Sequence, residues 1–302
     1  MYYQTQAVRL VTFRIGTGTQ ARASAPGALI EDGSKVAALP GFSSVLEIVE
    51  GGQNALDRAH ESVRHSPTVL AVENVTLLAP IPHPPQMRDF LCFEKHLMQA
   101  FQAIGKTPPQ AWYERPIFYH PSRFSVCGPD AEVPWPAYCE KLDFELEFGC
   151  YIGKPGKDIS KERAREHIFG YTIFNDFSAR DEQAKEMAGQ LGPGKGKDFD
   201  NANAMGPCLV TADELGDPYR LEMVVRVNGE EWGRGNSRDM HWKFEDCIAH
   251  ASRSETLHSG EFFGSGTVGN GCGLENRRFL NPGDTVELEV DRIGILRNRV
   301  VK

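Results

Sequence analysis

No apolar run in the 302 residues approaches the roughly 18 needed for a helix to cross a bilayer, so no helical membrane span is expected. Positive charge is also scarce: 33 Lys and Arg face 41 Asp and Glu, a net charge of -8. A nucleic-acid binder needs clustered cations for its phosphate contacts, so that class is excluded. No C-x-x-C occurs, and the seven cysteines are odd in number and widely scattered. They read as reduced thiols in a cytoplasmic protein, not as a disulfide framework or a zinc site. Met1 to Gly16 carries Arg9 and Arg14 among its apolar positions and lacks the core of a secretory signal. Internal repeats and low-complexity segments are missing too.

What is present is an ordinary globular composition, 40% hydrophobic and 25% charged. Residues 1–80 read as a small unit: strands at Ala7–Phe13 and Ala28–Ile30, an Asp32-Gly33 turn, and a helix from Ser44 to Val63. Pro80, Pro82, Pro84 and Pro85 form a stiff connector and set a boundary, leaving residues 81–302 as the larger domain. There, helices are expected at Phe93–Ile104, Lys161–His167 and Phe244–Ala251. Strands are expected at Phe144–Ile152, His167–Asn175, Leu221–Val227 and Thr285–Val290. Strands outnumber helices without regular alternation, so the fold class is α+β, mainly β.

Leu142-Asp-Phe-Glu-Leu-Glu-Phe148 carries the sharpest chemical signal. Side chains of a strand alternate faces, which puts Leu142, Phe144, Leu146 and Phe148 on one side and Asp143, Glu145 and Glu147 on the other. Carboxylates two apart repel unless a cation lies over them, and a hard divalent ion with oxygen ligands suits that role. The alternative is a strand with one solvated face.

Three further clusters stand beside it. Asp89 and His96 are seven residues apart, about two helical turns, and can face one cavity. Asn175-Asp-Phe-Ser-Ala-Arg-Asp-Glu-Gln183 closes an apolar strand with a dense polar group, which reads either as a site or as a turn with a helix cap. Gly264 to Gly269 matches G-x-G-x-x-G, but glycines continue where a helix should begin, so a dinucleotide site is rejected. Gly189 to Lys195 matches most of a P-loop, but Gly196 stands where Ser or Thr is required. Both segments read as loops that cover a site or turn strands.

Taken in order, these motifs resemble the fumarylacetoacetate hydrolase family from Asp89 to the C-terminus. The matching segments are Asp89–His96, Leu142–Glu147, Gly170–Gln183, Gly196–Phe199, Gly206–Val210, Val227–Gly229, Gly266–Thr267 and Pro282–Asp284. The resemblance implies a mixed β-sandwich or β-roll catalytic domain, a small N-terminal α/β domain and a homodimer. It also implies a metal site at Asp89, Glu145, Glu147 and Asp176 for Mg²⁺, with Ca²⁺ or Mn²⁺ as alternatives. His96 paired with Glu275 would activate water, with Lys197 as a third catalytic group. Tyr119, Arg180, Gln183 and Thr267 would contact a small 1,3-dicarbonyl substrate. Branches that decarboxylate carry a Glu three residues after the His, where this chain has Gln99. The reading that follows is hydrolytic C–C cleavage of a 1,3-diketone. The alternative is an oxaloacetate-type decarboxylase or a keto–enol or cis–trans isomerase on the same metal core.

Overall fold

A computed structural model describes residues 8–16, 23–103 and 105–302. Ala7, the expected start of the first strand, and Ile104, the expected end of a helix, lie outside the described residues. Two sheets dominate, one of twelve strands and one of five. They pack face to face: a single core cluster takes Phe148, Ile173 and Cys208 from the large sheet and Val225, Leu288 and Leu296 from the small one. The α+β, mainly β architecture is thus observed. None of the described helices is long and apolar enough to cross a membrane.

Residues before Pro80 have their own hairpin, Ala25–Ile30 with Lys35–Ala38, turning at Glu31–Gly33. Their helix is split into Val45–Glu50 and Gly52–Arg64, because Gly51-Gly52 falls mid-span and glycine is a poor helix former. Strand Arg9–Ile15 pairs with Asn203–Thr211, Arg9 opposite Val210, so these residues share a sheet with the rest of the chain. They share a core as well, Leu10, Val45 and Ile48 packing in one cluster with Phe174, Leu209 and Phe262.

Four neighbouring strands position the acids. Strand Leu146–Ile152 is buried along its whole length, between Ile168–Asp176 on one side and Phe262–Gly264 on the other. Met87–Phe90 lies beyond Phe262–Gly264, with Asp89 opposite Gly264. The alternative of a solvated face is ruled out, since Asp143 and Glu147 are 0% exposed and Glu145 is 5% exposed. The expected continuous strand is also interrupted. Leu142–Asp143 pairs with Ser178–Ala179, and Glu145 makes only an isolated bridge to Cys272 before Leu146–Ile152 begins. The break is fixed by side chains, since Asn175 Oδ1 accepts from the Glu145 amide at 3.0 Å and Asp143 Oδ1 from the Phe144 amide at 2.9 Å.

Gly264 matters for the geometry. A Cβ there would stand 2.4 Å from Asp89 Oδ1, closer than the two atoms can approach. Gly264→Ala is therefore expected to displace Asp89, lower stability by about 1–3 kcal/mol as overpacking does, and weaken divalent-ion binding. Calorimetric titration with Mg²⁺ checks this, and unchanged affinity would contradict it.

Candidate active site

Asp89, Glu145, Glu147 and Asp176 converge, each offering a carboxylate oxygen within 4.8 Å of the others. Asp89 and Glu147 come from strand interiors, Asp176 from the last position of Ile168–Asp176, and Glu145 from the strand break. At this separation each like-charged pair repels by about 3–4 kcal/mol at an effective dielectric near 20. Ionisation is accordingly suppressed. Burial, followed by the charge of Asp176, raises the Asp89 carboxyl well above its usual range. Burial and then Asp89 and Glu145 do the same to Glu147. Burial pushes Asp176 up to about 6, with Lys197 opposing the rise and Glu145 adding to it.

Glu145 is the exception. Burial works against its charge, but Lys197 and Arg180 outweigh burial and hold the carboxyl below its ordinary value. Lys197 Nζ donates to Glu145 Oε2 at 2.6 Å and to Asp176 Oδ2 at 2.5 Å. Arg180 bridges Glu145 Oε1 and Asp143 Oδ2, each at 2.8 Å. Four carboxylates fully ionised against these two cations leave at least two negative charges, because Arg180 is shared with Asp143. Glu147 Oε2 and Asp176 Oδ1 are buried without a hydrogen-bond partner. Orphaned carboxylate oxygens and a surplus of two charges, in an all-oxygen donor set, fit a hard divalent cation.

The remaining expected residues surround this cluster. Tyr119 OH donates to Asp176 Oδ2 at 2.6 Å, and Thr267 Oγ1 reaches Glu147 Oε1 at 3.4 Å. Gln183 Oε1 accepts from Arg180 at 3.0 Å, and Arg180 Nη2 is buried with no partner. His96, on helix Glu94–Ala103, meets Glu275, on Gly273–Asn276, with Nδ1 and Oε1 2.9 Å apart. The other Glu275 oxygen accepts from the Cys272 amide at 3.2 Å, which fixes the carboxylate's orientation. The Gly264–Gly271 segment lines the site, the Gly266 amide donating to Asp89 Oδ1 at 3.2 Å.

Asn175 and Cys272 contribute without being marked as site residues by the sequence pattern, and Asp143, which alternation groups with Glu145 and Glu147, takes a different role. Asn175 organises the Glu145 backbone, and its place in the Asn-Asp motif was the available signal. Asp143 stays out of the acid cluster and accepts from the Gly273 and Leu274 amides at 2.7 and 2.9 Å, tying the Glu275 segment to the acid strand. Cys272 lies with its Sγ 4.0 Å from His96 Nδ1, and nothing in its local sequence marks it.

Residues 86–301 match the family model described as fumarylacetoacetate (FAA) hydrolase C-terminal. The chain is 33% identical over 305 residues to a mitochondrial oxaloacetate tautomerase of Xenopus laevis, covering 98% of this chain and 91% of that protein. Its structure is similar to a probable 2-hydroxyhepta-2,4-diene-1,7-dioate isomerase from Mycobacterium abscessus, with a TM-score of 0.78, 27% identity and 98% of each chain covered. A maleylpyruvate hydrolase from Sphingobium, solved in complex with manganese(II) and pyruvate, shares the fold at a TM-score of 0.76 and 21% identity, over 97% of this chain and 98% of that one. With the motif order, the match over more than two thirds of its length and the relative at 33% identity, the chain belongs to the fumarylacetoacetate hydrolase family of enzymes.

Proposed function

We propose that the protein is a divalent-metal-dependent keto–enol tautomerase of a small 2-oxo dicarboxylic acid of the oxaloacetate type. The observation that carries this reading is the 33% identity to an oxaloacetate tautomerase across 98% of the chain. The site supplies what the reaction needs, which is one proton moved between carbon and oxygen with no bond between heavy atoms broken.

Asp89, Glu145, Glu147 and Asp176 would hold the cation, with Mg²⁺ or Mn²⁺ suited to their oxygens. When bound, it supplies Lewis acidity toward the oxygens of a 1,3-dicarbonyl acid. Glu275 engages Nδ1 of His96 and so leaves Nε2 to exchange a proton with substrate. In the enol-to-keto direction Nε2 takes the proton of the enol O–H, and the imidazolium so formed delivers it to the adjacent carbon, returning the ring to its neutral form. Arg180, with its unpartnered Nη2, and Lys197 supply cationic donors for enolate and carboxylate oxygens. Tyr119, Gln183 and Thr267 complete the polar lining.

Hydrolytic C–C cleavage is the second reading, and the His96–Glu275 contact favours it because the same pair can activate water. Loss of the enol absorbance of oxaloacetate, with Mg²⁺ or Mn²⁺ present, tests the first reading. Product analysis in ¹⁸O-water with an acylpyruvate tests the second. Failure to accelerate ketonisation, together with labelled carboxylate from the acylpyruvate, would replace tautomerase by hydrolase. Residues 1–80 are expected to contribute no ligand, and Glu31, Asp32 or Glu47 bound to the ion in a metal-loaded crystal structure would contradict that. A cytoplasmic homodimer belongs to the same proposal, drawn from the family resemblance and from seven buried free thiols, which suit a reducing compartment.

A further inference from the structure

We propose that His96, Cys272 and Glu275 form a second cation site, selective for a thiophilic divalent ion of the zinc type, whose occupation blocks the proton-transfer pair. Their donor atoms lie within 4.8 Å of one another, and they belong to two segments that approach only in the folded chain. Imidazole nitrogen, thiolate sulfur and carboxylate oxygen are the three donor types zinc takes in proteins, and three protein ligands leave a fourth position for water or substrate. The acid cluster beside it is all oxygen and hard, whereas this trio contains a soft sulfur, so the two sites sort ions by ligand chemistry.

The geometry is close to what such an ion requires. Around tetrahedral zinc with bonds of about 2.0–2.3 Å, neighbouring donors stand roughly 3.4–3.6 Å apart. Here His96 Nδ1 is 2.9 Å from Glu275 Oε1 and 4.0 Å from Cys272 Sγ. The former pair must open and the latter close, each by about half an ångström, a displacement that small side-chain rotations supply. Backbone contacts already hold two of the three, since the Cys272 amide binds Glu275 and Cys272 pairs with Glu145.

Binding is a ligand exchange. The Cys272 S–H bond breaks, sulfur bonds the ion, and the proton leaves to solvent. The proton on Nδ1 of His96 passes to Nε2 as Nδ1 takes the ion. Nε2 then no longer accepts a proton, and Glu275 is held by the ion in place of the imidazole. The consequence for turnover rests on the tautomerase reading, but the site itself does not.

The test therefore has a spectroscopic arm that uses no substrate. Protein saturated with Mg²⁺, which fills the all-oxygen site, is titrated with Co²⁺ and then Zn²⁺. The expected result is a thiolate-to-cobalt charge-transfer band that saturates at one equivalent, is abolished by Zn²⁺, and is missing in Cys272→Ser. In the second arm, the Zn²⁺ concentration for half-inhibition of ketonisation rises in Cys272→Ser by at least about tenfold, since even outer-shell changes weaken metal sites on that scale. Should Cys272→Ser fold poorly, His96→Ala removes another ligand and should weaken and shift the same band. Absence of the band in wild type, or its persistence unchanged in Cys272→Ser or in His96→Ala, overturns the proposal. Absence of turnover with an intact band instead points to the substrate assignment.

Discussion

Replacing His96 with alanine is expected to cut turnover about 10²–10⁴-fold, the usual scale for losing a general acid–base group, while divalent-ion affinity at the acid cluster stays close to wild type. The ring makes no hydrogen bond to the four converging carboxylates; its described polar contacts are Glu275 at 2.9 Å and the Cys272 sulfur at 4.0 Å. Glu275→Gln should cost less, because an amide still occupies the place beside Nδ1 but no longer supplies a negative charge. Steady-state kinetics read alongside calorimetric Mg²⁺ titration separate these effects. His96→Ala turning over at the wild-type rate would remove the imidazole from the mechanism and leave the cation and Lys197 as the principal groups.

Glu147→Gln should weaken divalent-ion binding on the order of 10²–10³-fold, the 3–5 kcal/mol scale of removing one charge from a buried charge network. Glu147 is fully buried, has an unpartnered oxygen, and makes no ion pair with Lys197 or Arg180, so its charge is balanced only when a cation is present. The metal-free wild type carries the complementary signature. Asp89, Glu147 and Asp176 all have folded-state values above those of the unfolded chain, Asp176 at about 6. Their folded state therefore holds protons that the unfolded chain releases above about pH 4. The stability this provides is complete below that range and is lost as pH rises through the folded-state values. Thermal unfolding should show the metal-free protein falling in Tm from about pH 5 upward, with the increment from Mg²⁺ growing over the same window. In Glu147→Gln both the fall and the Mg²⁺ increment should shrink. A metal-free Tm that rises through this range, or a Mg²⁺ increment independent of pH, would falsify the assignment of these acids as ligands.

Much of the architecture was legible in the chain because burial leaves a periodic trace. Phe244–Ala251 and Thr285–Val290 fall where their patterns place them, and Ile168–Asp176 differs from expectation by one residue at each end. The acid strand was read with its chemistry intact but its local shape wrong. Alternation alone does not reveal whether the polar face meets water or a buried charge centre. Nor does it reveal that Asn175, from the neighbouring strand, captures the Glu145 amide and helps break the strand.

The sequence by itself determined the ligand types, the sheet-rich class and the order of motifs, since these depend on residue identity and short-range spacing. The family resemblance named the four acids; only the tertiary structure decided that Asp143 leaves the group to hold Gly273 and Leu274, and that Lys197 lies between Glu145 and Asp176. It alone brought Cys272 to the His96–Glu275 pair, across 176 residues of chain from His96. Contacts at that separation depend on strand register and loop course, which the pairing of distant segments sets and local sequence pattern does not encode.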